Sequence, residues 1–86
     1  MAKRDIADLQ SVMRFVDDSL AEALPDLPAR KRRYVPNALL NLAVEWLLAA
    51  EDTAVAVSIL HRLAERISAG ERPEDDTAIP LTRYDA

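Results

Sequence analysis

The sequence predicts an all-α fold: a three-helix domain, made of a long N-terminal helix and an αα-hairpin, with an extended C-terminal tail. Three observations predict it. Apolar residues recur three and four apart in three separate stretches, the period of a helix with one buried face. Alanine and leucine dominate a chain that is 50% hydrophobic yet holds only four aromatic residues, Phe15, Tyr34, Trp46 and Tyr84, a helix-forming composition. The single glycine, Gly70, and the prolines fall outside those stretches or at their ends, with Pro25, Pro28 and Pro36 between the first two and Pro73 and Pro80 in the tail.

The first helix is expected over about residues 5–24. Ile6, Leu9, Val12, Met13, Val16, Leu20 and Leu24 share one stripe, and Asp8, Ser11, Arg14, Asp18 and Glu22 lie opposite, so one face is buried and one solvated. Pro25 ends it. Phe15 falls off the stripe by about 60°, toward the polar side. It is therefore either a seat for the C-terminal tail or part of an exposed partner-binding patch.

From Pro25 to Pro36 the chain holds three prolines and the run Arg30-Lys31-Arg32-Arg33-Tyr34, which reads as a connector. Asp26 is a candidate cap for a short helix in the 26–34 connector, with Pro28 tolerated in its first turn because the missing N–H is not needed there.

The second long helix is expected to start with Asn37 as N-cap and run to about Ala50. Eleven of the thirteen residues from Ala38 to Ala50 are apolar, which leaves Asn37, Asn41 and Glu45, four apart, as one narrow polar strip. A helix apolar nearly all round must be covered on several sides. Trp46, the largest side chain on it, is expected in the core.

Glu51-Asp52-Thr53 reads as a tight break, with Asp52 or Thr53 capping a third helix that continues to about Ala69 and stops at Gly70. Ala56, Ile59, Leu60, Leu63, Ala64 and Ile67 form its apolar face, with Ser58, His61, Arg62, Glu65 and Arg66 on the other. Residues 1–70 are thus expected to form a single helical domain. Residues 71–86 follow as a tail, acidic from Glu71 to Asp76 and then apolar at Ile79, Leu81 and Tyr84. Pro73 and Pro80 hold it extended, so Ile79 and Leu81 point the same way and suit a groove between helices, with Phe15 as its floor.

Composition removes several function classes. One glycine cannot supply a P-loop or a dinucleotide fingerprint, one histidine cannot build a multi-histidine site, and no cysteine is present to hold a thiolate-bound metal. Glu74-Asp75-Asp76 lacks the alternate spacing of a calcium loop and reads as a solvated acidic segment. Ser58 and His61 lie one turn apart, but an exposed helix face offers neither an oxyanion hole nor a dry orienting acid. No catalytic, cofactor-binding or metal-binding residue is therefore expected.

Fifteen acidic against eleven Lys and Arg residues give a net charge of −4, which disfavours general attraction to phosphate backbones or anionic membranes. No apolar leader follows the positive charges of the first residues, and the longest apolar region, Val35 to Ala50, is shorter than a membrane span, so the expected location is cytoplasmic. The expected role is a non-enzymatic helical interaction or regulatory module, homodimeric or paired with another protein through the apolar surplus of the central helix. The partner-binding candidates are Phe15, Arg30, Lys31, Arg32, Arg33, Tyr34, Ile79, Leu81 and Tyr84. The alternative is a small nucleic-acid-associated regulator in which Arg30, Lys31, Arg32 and Arg33 neutralise phosphates while Tyr34 stacks on a base.

Overall fold

The computed structural model describes residues 3–73 and 78–81 of the chain. Among these residues the fold is all-α: α1 (Lys3–Ala23), a 3-10 turn (Leu24–Asp26), α2 (Ala29–Arg32), α3 (Val35–Ala50) and α4 (Thr53–Ser68). The three long helices fall where the apolar periodicity puts them, and the short connector helix forms as the four residues of α2.

Helix ends follow local chemistry. The residue before a proline disfavours the helical conformation, and α1 stops at Ala23, two residues before Pro25, which sits in the first turn of the 3-10 helix. No side chain caps α2, which begins behind Pro28, so Asp26 does not play the capping part expected of it. The start of α3 also differs from expectation. It begins at Val35 behind Tyr34, and Pro36 lies within its first turn, where a missing N–H costs nothing. Asn37 is consequently inside the helix, where its backbone oxygen and side-chain Oδ1 both accept from Asn41 Nδ2, at 2.9 and 2.6 Å.

The α3–α4 junction is a two-residue turn. Glu51 N–H donates to the Leu47 carbonyl at 2.8 Å, and Asp52, extended at the N-cap, accepts from Val55 N–H with its Oδ1 at 2.9 Å. At the other end of α4, Glu71 N–H reaches back to the Arg66 carbonyl and Gly70 N–H to the Ile67 carbonyl, both at 3.0 Å. This is a Schellman closure, and it places Gly70 at φ 95°, the left-handed region that a side chain disfavours.

The core gathers on α4. Ala56 and Ile59 are buried there, and Ala78, from the segment after the helices, is the third buried apolar residue. Val55, Leu60, Leu63 and Arg66 of α4 are half-buried, as are Ile79, Pro80 and Leu81. On α1 the half-buried residues are Ile6, Leu9, Gln10, Met13 and Leu20, but Val12 and Val16, expected on the same stripe, are exposed. They sit on its edge beside Phe15, so the buried stripe of α1 is narrower than its apolar one.

Candidate functional site

The site is built on α3, and it exists because that helix is under-covered. α3 contacts α4, yet it contains no buried residue. Beyond its first turn only Val44 and Leu47 are half-buried, and they lie about 60° apart on one side of the helix. The opposite side carries Val35, itself half-buried, and then the exposed Leu39, Leu42, Trp46 and Ala49, spaced four, three, four and three residues apart. That is the alternating spacing of a coiled-coil seam, in which every second contact residue returns to the same line. Exposure along it rises from 37% at Leu39 to 53% at Leu42 and 77% at Trp46. Trp46 is thus outside the core of the chain, contrary to the expectation from its size and setting. With Glu45, Ala49 and Ala50 it lines a shallow open hollow at the C-terminal end of the seam.

The two ends of α3 differ in charge. Before it stand Arg30, Lys31, Arg32 and Arg33; after it stand Glu51 and Asp52. The basic run is partly absorbed within the chain. Arg32 donates through Nε to the Leu27 carbonyl at 3.0 Å and through Nη2 to the Pro25 carbonyl at 3.4 Å, which fastens the 3-10 turn and Leu27 to the last residue of α2. Arg33 lies over the Tyr34 ring, 4.8 Å from its centroid, and donates through Nη2 to the Tyr34 hydroxyl at 2.8 Å. Tyr34 therefore presents a ring already faced by a guanidinium, which is not the free stacking platform a base requires.

Phe15 is 71% exposed and forms, with Val12 and Val16, a second apolar patch on α1. It does not serve as the floor of the tail. The segment 78–81 is instead tied to α4, where Arg66 Nη1 donates to the Pro80 carbonyl at 2.9 Å while Arg66 Nε pairs with Glu71 Oε2 at 3.3 Å. One guanidinium thus holds both the start of the tail and its return. Tyr84 and the acidic run Glu74 to Asp76 lie outside the described residues.

Among the described residues no group of three His, Asp or Glu side chains could hold a metal ion, and no helix is long and apolar enough to cross a membrane. His61 Nδ1 lies 3.7 Å from Glu65 Oε1 on an exposed face, and Ser58 is exposed as well. Leu40 and Leu48, toward the side of Val44 and Leu47, are also exposed, at 58% and 48%, so the seam is set apart by its spacing and by Trp46 rather than by exposure alone. Apolar residues cover nearly the whole circumference, and the sequence by itself does not single the line out. In comparisons with known proteins, no family model matches the chain, and no curated protein or solved structure matches it either.

Proposed function

We propose that this chain is a non-enzymatic helical interaction module that acts as a pair of identical copies joined through α3. One observation carries the reading: a sixteen-residue helix, apolar over most of its circumference, has no buried residue within its own chain. Water-exposed apolar surface costs roughly 25 cal/mol per Å2, and a patch of several hundred Å2 marks a protein-binding surface. Among the described residues eleven large apolar side chains stand exposed, five of them on α3.

A nucleic-acid role draws less support, since two of the four cations in the connector are engaged with backbone carbonyls or with Tyr34 and the chain carries a net charge of −4. Light scattering over a dilution series tests the reading. A mass of two chains that falls to one on dilution is expected, with Trp46 emission moving from blue-shifted to water-like over the same range. A mass of one chain at every concentration overturns it.

A further inference from the structure

Two copies joined along α3 can pair in either direction, and charge and side-chain volume both bear on which. We infer that the second copy lies antiparallel along α3, with Leu42 on the two-fold axis, Trp46 of each copy packed against Leu39 of the other, and Val35 opposite Ala49. The inference rests on that reading of self-pairing.

Charge decides first. A helix of sixteen residues is about 24 Å long, so its two ends lie well beyond the ~8 Å screening length of physiological salt and each end acts by itself. In a parallel pair the basic run before α3, Arg30 to Arg33, would face the same run of its twin, four cations against four. In an antiparallel pair that run faces Glu51 and Asp52, and it does so twice by symmetry. Like charges set against one another select strongly against an arrangement, even where opposite charges add little to affinity.

Volume points the same way. The seam is bulky at Trp46 and small at Ala49, so a parallel pair would set one indole against the other and leave a gap between the alanines that follow. Reversing one copy places each large residue against a smaller one: Trp46 over Leu39 and Val35 over Ala49. The area suffices. Trp46, Leu42, Leu39 and the flanking alanines offer on the order of 500 Å2 per copy, about 1,000 Å2 for the pair, which reaches the lower bound for a specific interface.

The test uses the absence of cysteine in the native sequence. Full-length variants Val35→Cys and Ala49→Cys are treated with a short bis-maleimide linker, each alone and as an equimolar mixture, with helix content checked by circular dichroism and mass by light scattering on the same samples. The antiparallel pair brings residue 35 of one copy to residue 49 of the other and holds like residues about 20 Å apart, beyond the linker. Covalent dimer is expected in the mixture and not in either variant alone, while Leu42→Cys cross-links with itself. Cross-linking of Val35→Cys to itself, in samples that scatter as dimers, overturns the antiparallel arrangement and leaves self-pairing standing. Dimers that cross-link in no combination overturn the seam. A monomer mass in the unmodified chain overturns the pairing itself.

Discussion

The two arms of the hairpin have the same length and nearly opposite fates. α4 carries two of the three residues buried among those described, is closed at its start by the Asp52 side chain and at its end by Gly70, and holds the returning segment 78–81 through Arg66. α3 is more apolar in sequence, yet no residue of it is buried and no side chain caps its first turn. The difference shows that apolar content measures what a helix demands, while burial measures what its neighbours can supply. α4, with one apolar face, has the middle of that face covered at Ala56, Ile59, Leu60 and Leu63, while Ala64 and Ile67 toward its end, expected on the same face, are exposed. α3, with two, has only Val44 and Leu47 half-buried on one side and its other side open, which in the proposed pair a second copy would cover.

The strongest way to break this comparison is to charge the open side of α3. Leu42→Asp sets two carboxylates together at the proposed axis and removes two leucines from the interface, which should weaken pairing by more than ~1,000-fold, about 4 kcal/mol. Because Leu42 is exposed within one chain, helix content measured by circular dichroism on dilute monomer should hold. A dimer of unchanged affinity would mean that the open side of α3 is idle.

The matching change on α4 acts on the single chain. Ile59 is buried, and Ile59→Ala should cost about 2 to 3 kcal/mol of folding stability, the low end of the range for such truncations because so small a core can partly close around the gap. Urea unfolding of dilute monomer separates the two changes: the midpoint should fall for Ile59→Ala and hardly move for Leu42→Ala. Equal shifts would erase the distinction between the arms.

The returning segment comes next. Truncation after Asp76 removes buried Ala78 and half-buried Ile79 and Leu81, together with the carbonyl that Arg66 holds. Against this burial stands the entropy of ordering a short extended strap, so the net loss should be about 1 to 2 kcal/mol, or roughly 5 to 10 °C in melting temperature for a domain of this size. If the truncated chain melts with the intact one, the segment contributes nothing to the α4 side.

What was legible in the sequence tracks what is local. Asp52 and Gly70 announce the bounds of α4 because a cap and a left-handed closure are satisfied by residues within a turn of each other. The start of α3 lies three residues ahead of the place the sequence suggests for a reason of the same kind: Asn37 is a good cap in isolation, but Pro36 is equally good in a first turn, and the tight turns through Tyr34 let the helix begin earlier. The placing of Phe15 and Trp46 is not local. Whether a large aromatic is covered depends on which elements lie across from it, and periodicity names a face without naming what meets it. The strap illustrates the point: the alternation of Ile79 and Leu81 shows that they face one way, but its seat is fixed by Arg66, a residue the periodic reading assigned to the solvated face of α4.

The smallest expected effect falls on Asp52, where the two arms meet. Its Oδ1 caps α4, and its charge sits at the acidic end of α3, so two substitutions separate two jobs. Asp52→Ala removes both, and should cost about 1 kcal/mol of folding stability through the lost cap. Asp52→Asn keeps an oxygen for Val55 N–H, and asparagine caps as well as aspartate, so the folding stability of monomer should stay within a few tenths of a kcal/mol. Its effect belongs to the pair. Removing the charge at both symmetric ends should weaken dimerisation by roughly 0.5 to 1 kcal/mol at low salt, as expected for exposed ion pairs, and the loss should vanish at high salt. Were α3 paired in parallel, Asp52 would face its own twin across the axis, and the same substitution would strengthen the dimer instead. The sign of a small change in dimer affinity at low salt therefore reports the direction of the helices independently of any cross-link.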